Sequence, residues 1–414
     1  MLDLKEIRRD PESVRAALAR RGAGDALDDL LALDARRREI LPRLEELRAR
    51  QNAANDRIAE AKRSGGDAQA AIDEMRGVAA EVKQLQAEVG QVEETLNATL
   101  AGVPNPPDPN APDADEVLRE VGESGATGRD HLELLGDLVD MEAGARVAGS
   151  RFAYLKGPLV LLELALVRWA LELLGEKGFE PVIPPVLVRE EALFGTGMLP
   201  DTEQQIYALA EDELFLAGTS EVPLASLHAG EILDDGRMPL RYAGFSPCFR
   251  REAGAAGKDT RGIFRVHQFD KVEMFTFVRP EESADEHERL LAIEEEILQA
   301  LGIPYRVVNI AVGDLGNSAA KKYDLEAWLP GQDRFRELTS CSNTTDFQAR
   351  RLDVRYRPAD GTVRHAHTLN GTAIAVGRTI IAIAENHQRE DGAVAVPEVL
   401  HEYGAPAVIS TSGR

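Results

Sequence analysis

The chain has 414 residues, 43% of them hydrophobic, enough to fill one large core and an accessory domain. Its 48 Lys and Arg stand against 71 Asp and Glu, a formal charge of −23, so no global positive field draws it to DNA or to an acidic membrane, and any RNA contact must use local basic patches. Two cysteines without CxxC spacing predict buried reduced thiols, and the absence of an apolar signal region at Met1–Lys5 or of a run of membrane-spanning length predicts a cytoplasmic protein.

From Leu27 to about Lys62 apolar residues recur at heptad spacing: Leu33, Ile40 and Leu47 in one row, Leu30, Leu44 and Ile58 in another, which Arg37 and Gln51 interrupt. A second run carries Met75, Val82, Val89 and Leu96 beside Val78, Leu85 and Val92, and Ser64-Gly65-Gly66-Asp67 marks the turn between the two. The pattern predicts an antiparallel coiled-coil hairpin about 50 Å long. Residues 31–63 hold nine Lys/Arg against six Asp/Glu, whereas residues 67–100 hold two against seven, so the first helix could face RNA through residues such as Arg36, Arg43, Arg50 and Arg57. The same arginines would also serve as ordinary solvated heptad charges. Pro104, Pro106, Pro107, Pro109 and Pro112 then read as a stiff linker and a domain boundary near residue 110.

Beyond about Asp113, helices and strands alternate irregularly, with strand-like runs at Val182–Val188, Phe264–Phe277 and Thr368–Val376. That pattern predicts an antiparallel sheet flanked by helices, an α+β chain overall. Leu159–Leu174 reads as an amphipathic helix, followed by a strand from Gly178 to the prolines at 184 and 185. Gly195-Thr196-Gly197 lacks the strand–helix unit of a dinucleotide site and reads as a flexible loop. The most informative stretch is Phe249-Arg250-Arg251-Glu252-Ala253-Gly254, with Arg261-Gly262-Ile263-Phe264-Arg265-Val266-His267-Gln268-Phe269-Asp270-Lys271-Val272-Glu273 after it. It places arginines and glutamates among strand formers around a Gly-rich loop, a hairpin suited to grip a polyanion such as a nucleoside triphosphate. Gly257-Lys258 is no phosphate-binding P-loop, because the upstream glycine and the following Ser or Thr are missing. At Thr368–Asn386 a strand runs through Gly377 into an apolar helix, which puts Arg378 in the first turn. His365 and His367 have no partners at metal-ligand spacing, and His267 and His387 read as capping or packing residues.

The run from Phe249 to Glu273 resembles motif 2 of the class II aminoacyl-tRNA synthetases, in the version found in seryl-tRNA synthetases. Thr368–Asn386 resembles motif 3, and the helix and strand around Gly178-Phe179 resemble motif 1, whose family role is the dimer interface. The opening Leu2–Arg8, the coiled coil, Thr219-Ser220-Glu221, Glu337-Leu338-Thr339-Ser340-Cys341-Ser342-Asn343 and Asn370-Gly371-Thr372 are similar to the same family in order and spacing, so the resemblance spans essentially the whole chain. It implies a tRNA-binding domain at 1–110 whose arm spans about 27–100, a catalytic domain at 111–414, and a homodimer. The reaction would be ATP-dependent activation of L-serine with Mg²⁺ and transfer to tRNA(Ser), with tRNA(Sec) left open.

Position by position, the resemblance gives serine to Thr219, Ser220, Glu221, Glu273, Asn370 and Thr372. Glu221 would pair with the α-ammonium, and Glu273 and Thr372 would take the hydroxyl. Arg250 would bind the α-phosphate and the substrate carboxylate. Glu252 would take the adenine amino group, the Val266 backbone and Phe269 the ring, and Arg265 with Arg378 the triphosphate, with Arg251, Leu338 and Thr339 alongside. Glu337 and Ser340 would hold Mg²⁺. Thr372 stands where many relatives have Ser, and the hydroxyl is kept. Two other readings compete: a homologue that loads a carrier protein, against which the full basic arm argues, and a non-catalytic RNA-binding regulator, which typically loses an ATP-binding arginine.

Overall fold

A computed structural model of the chain describes residues 1–65, 69–200, 205–254, 259 and 261–411. Gly66 and Asp67 of the expected turn and the Gly257-Lys258 pair lie outside the described residues. The chain divides into two units, Met1–Pro104 and Asn105–Arg414.

In the first unit, helices α1 (Leu4–Arg9) and α2 (Pro11–Ala19) are capped by Asp3 and Asp10, whose carboxylates accept from Lys5 N at 2.7 Å and Ser13 N at 3.1 Å. Two long helices follow, α3 (Ala26–Ser64) and α4 (Gln69–Gly102), and Gly65 closes α3 in the left-handed region at φ 70°. Ile40, Leu44, Leu47 and Ala54 bury against Met75, Val78, Val82 and Val89, and Leu27 and Leu30 pack with Leu96 and Leu100 at the base. All but Leu27, Ala54 and Leu100 belong to the heptad rows read from the spacing. Arg37, which interrupts one row, turns its Nε to Glu93 Oε1 at 2.9 Å and so covers the seam with a charge pair.

The second unit is built on a sheet of eight strands among the described residues: β1 (Glu116–Val121), β2 (Glu180–Val182), β3 (Leu240–Phe249), β4 (Gln268–Val278), β5 (Tyr305–Asn309), β6 (Lys321–Leu329), β7 (Arg334–Asn343) and β8 (His367–Ala375). Their spatial order is β1-β5-β6-β7-β8-β4-β3-β2, antiparallel throughout except for the edge pair β2–β3. Helices at Pro158–Glu176 (α5), Ser283–Ala300 (α8) and Val376–Asn386 (α10) bury Leu162, Leu166, Leu290, Ile297, Ile380 and Ile383 with sheet residues such as Leu325, Leu369 and Ile374. Strand alternation on β4 divides its side chains. Val272 and Met274 join this core, Phe275 and Phe277 join a second cluster with Leu224, Ala349 and Tyr356 on the other face, and Lys271 and Glu273 line a cleft.

Two strand expectations change. The run Val182–Val188 is two strands, because Pro184 and Pro185 remove two donors: β2 joins the large sheet, and Leu187–Val188 pairs with Leu214–Leu216 in a small one. The run expected from Phe264 becomes strand only at Gln268, since Gly262 turns left-handed at φ 73° and Ile263, Phe264 and Val266 bury in the loop before it. The Pro-rich stretch after Pro104 lies on the second unit. Asn105 N donates to Asn317 O at 2.8 Å and its side-chain amide to Ser318 O and Thr344 O at 2.9 Å. No described helix is long and apolar enough to cross a membrane.

Candidate active site

A cleft of about 510 Å³ opens on the second face of the sheet, walled by β4, β7 and β8, by Arg250, Glu252 and residues 263–266, and by residues 196–198. At one end stand carboxylates. Glu221 opens the short helix α7 (Glu221–Ala225), and its backbone N–H donates to Thr219 Oγ1 at 3.2 Å. Lys271 Nζ donates to Thr219 Oγ1 at 2.7 Å and pairs with the Glu273 carboxylate, whose Oε1 accepts from Asn370 Nδ2 at 3.1 Å. Thr372 sits opposite Glu273 in the β4–β8 register. Burial, with Glu273 nearby, pushes the Glu221 carboxyl up to about 7, while Gln348, Lys271 and Arg250 pull it the other way. Such an end fits a small substrate that brings a cation and a hydroxyl.

The other end is cationic and aromatic. Arg250 Nε donates to Gly218 O at 3.1 Å, and its guanidinium lies 5.2 Å from the Phe269 ring centroid. Arg378, in the first turn of α10, donates to Glu337 O at 2.9 Å and stands 3.6 Å from Glu337 Oε2. The Phe264 ring takes Arg336 at 3.8 Å and Arg378 at 4.7 Å. Burial opposes ionisation of Glu337, but Arg378, Lys322 and Arg250 outweigh it and hold this carboxyl below its ordinary value. Arg265 pairs with Glu252. Guanidiniums around a flat ring accommodate a polyanion bearing an aromatic base.

The structure brings together in this cleft Thr219, Glu221, Arg250, Glu252, Arg265, Val266, Phe269, Glu273, Glu337, Leu338, Thr339, Ser340, Asn370, Thr372 and Arg378. Ser220 and Arg251 do not line it: Ser220 Oγ shares a 2.7 Å hydrogen bond with Ser246, and Arg251 N donates to Gln205 O. Gly195-Thr196-Gly197 is no loose loop. Gly195 and Thr196 end the helix α6 (Glu190–Thr196), and a Cβ on Gly195 would meet Leu352 Cδ2 at 2.2 Å. His267 Nδ1 lies 2.8 Å from Arg250 O and His387 Nε2 2.7 Å from Leu301 O, so both brace backbone.

Three functional groups escaped the sequence reading. Lys271 precedes Glu273 by two residues, so strand periodicity alone puts it on the same face. Glu294 on α8 is fully buried and accepts from Thr339 Oγ1 at 2.8 Å; a Cβ on Gly371 would come within 2.9 Å of its Oε1, which is why glycine stands in Asn370-Gly371-Thr372. Burial raises the Glu294 carboxyl well above its ordinary value. The third is Gln348, which no local pattern marks.

In the arm, Arg36 pairs with Glu88 across the hairpin and with Glu39 at 2.8 Å along it. Arg43 does the same with Glu81 at 3.2 Å and Glu46 at 3.1 Å. Arg57 Nε donates to Ala53 O at 3.4 Å, and Arg50 is exposed.

The sequence matches two family models: the Seryl-tRNA synthetase N-terminal domain over residues 1–107 and the tRNA synthetase class II core domain (G, H, P, S and T) over residues 206–387. It is 50% identical over 414 residues to the serine–tRNA ligase of Thermobifida fusca, covering 97% of each chain. Among solved structures, the seryl-tRNA synthetase of Pyrococcus horikoshii complexed with ATP superimposes with a TM-score of 0.92 at 43% identity, covering 99% of both chains. The cytoplasmic serine–tRNA ligase of Naegleria fowleri in complex with AMP gives 0.86 at 33% identity, covering 98% of this chain and 96% of that one.

Proposed function

The chain belongs to the seryl-tRNA synthetase family, and we propose that its cleft activates L-serine with ATP and that the seryl group then passes to the 3′ end of tRNA(Ser). It is an aminoacyl-tRNA synthetase with a class II core. One observation carries the substrate reading: an end built from the carboxylates of Glu221 and Glu273 with the Thr372 hydroxyl and a guanidinium end built from Arg250 and Arg378 meet in a single cleft. Glu221 takes the serine ammonium, and Glu273 with Thr372 takes the hydroxyl. An amino acid without that hydroxyl leaves one hydrogen bond at the Glu273–Thr372 pair unmade, at about 1–3 kcal/mol per buried polar group left unsatisfied.

The serine carboxylate attacks the α-phosphorus in line and pyrophosphate leaves, so the protein supplies orientation and charge neutralisation and no nucleophile. Arg250 steadies the substrate carboxylate and α-phosphate, Arg265 and Arg378 the remaining phosphates, and Phe269 the base. The tRNA 3′-hydroxyl then attacks the carbonyl of the adenylate, the acyl–phosphate bond breaks, and AMP leaves as the hydroxyl gives up its proton. Glu337, held ionised, and Ser340 offer the hard oxygen donors that suit Mg²⁺, and no described group of three or more His, Cys, Asp or Glu forms an all-protein metal cage. Mg²⁺ held there would neutralise phosphate charge.

The arm reads a serine tRNA through its basic first helix, and the protein works in the cytoplasm as a homodimer. Exposed apolar residues support that dimer: Leu161 and Leu164 on α5 and Ile183 beyond β2, the last 83% exposed. Arg250, Arg265 and Arg378 all stand in the cleft, and the match to the N-terminal domain covers the arm, which disfavours both the regulator and the carrier-loading readings. Pyrophosphate exchange measured with each of the twenty amino acids tests the assignment. Serine is expected to drive it best, and faster exchange with any other amino acid would overturn the reading.

A further inference from the structure

Gln348 lies in the helix α9 (Phe347–Leu352), wholly buried. Its Nε2 donates to Glu221 Oε1 at 2.7 Å and to the Thr196 carbonyl at 3.3 Å, and its Oε1 accepts from Thr368 Oγ1 at 2.9 Å. The orientation of the amide follows from its neighbours: a carboxylate and a carbonyl both need a donor, so the NH₂ side must face them. The Thr368 hydroxyl lies 2.5 Å from Thr344 Oγ1, which braces the far side. One neutral side chain thus ties the carboxylate at the amino-acid end of the cleft to the end of α6 that walls it.

We propose that Gln348 is a positioning residue for the amino-acid substrate: through Nε2 it holds the Glu221 carboxylate aimed at the substrate ammonium and fixed against the end of α6 at Thr196. The inference rests on Glu221 being the ammonium partner, as read above. The groups that face Glu221 are Glu273 and Lys271 from β4, Arg250 from the loop after β3, and Gln348 from α9. Burial and Glu273 favour the protonated carboxyl, while Gln348, Lys271 and Arg250 favour the carboxylate. Without the amide the balance tips toward the acid, and a neutral carboxyl cannot pair with an ammonium.

The sign is set by that titration. Glu221 must be ionised to bind substrate, so kcat/KM for serine should rise with pH through about 7 in the wild type. Gln348→Met keeps the approximate volume and removes the donor. Its rise should move upward by about one pH unit, the size of one hydrogen bond to a charged group. At pH below the shifted rise the variant should lose about tenfold in kcat/KM, carried by the serine KM with the ATP KM unchanged, and the loss should shrink toward roughly pH 8.5. Thr368→Val, isosteric within β8, frees the amide from its brace and should shift the rise in the same direction by less, which keeps the test alive if Gln348→Met does not fold. A folded variant whose profile overlays the wild type, or whose loss is equal at every pH, overturns the proposal and leaves Gln348 as packing. Failure of the functional reading looks different: wild-type exchange would then not depend on serine, and the Gln348 assignment would fall with it.

Discussion

The helical arm and the cleft both carry dense charge and use it under opposite conditions. On the arm, Arg43 meets Glu81 and Glu46 with each side chain about half exposed, in water and salt that screen the attraction. In the cleft, Lys271, Glu221 and Glu273 are buried against one another, so each charge depends on its neighbours being present and correctly placed. The arm is therefore held by Ile40, Leu44, Leu47 and their partners on α4, and its surface charges remain available to another molecule. The cleft cannot trade a charge without disturbing the set.

Removing the arm breaks this comparison most severely. Deleting residues 27–100 and joining the ends should lower charging of serine tRNA on the order of 10³ or more, the scale of losing several phosphate contacts, while serine-dependent pyrophosphate exchange stays close to wild type because every cleft residue lies beyond it. Parallel loss of both activities in a folded variant would show the two units to be functionally inseparable. Next in size, Arg378→Ala or Arg250→Ala should each cut exchange by about 10²–10³, as expected for one preorganised charge stabiliser, with charging falling in step. More than a third of wild-type turnover at saturating ATP would remove that arginine from the site.

A smaller effect sharpens the comparison within the cleft. Thr372→Val deletes one hydroxyl, so the ratio of kcat/KM for serine over alanine should narrow about tenfold. An unchanged or wider ratio counts against Thr372 as a reader of the side chain. The least effect belongs to the arm surface. Arg43→Ala should leave the urea midpoint unmoved, yet lower the salt slope of tRNA binding by about one if Arg43 leaves its glutamates for a phosphate. An unaltered slope assigns Arg43 to the hairpin alone.

These differences track what could be read in advance. Sequence alone determined the arm, because a heptad is a local period: the rows through Ile40, Leu47, Val82 and Val89 are those that bury. It also determined the strand-to-helix turn that presents Arg378, the antiparallel pairing around the Arg250 loop and, through the family resemblance, most of the charged residues gathered in the cleft, though not Lys271, and with Ser220 and Arg251 wrongly included. The tertiary structure decided matters that depend on atoms far apart in the chain. It broke Val182–Val188 between two sheets, delayed β4 to Gln268, turned Ser220 toward Ser246 and paired Arg265 with Glu252. It alone set Gln348 against Glu221 across 127 residues and placed Glu294 beneath Gly371. Periodicity reports which face of an element a side chain occupies, but the partner met there, and with it the protonation state of a buried carboxylate, is fixed only when the elements pack.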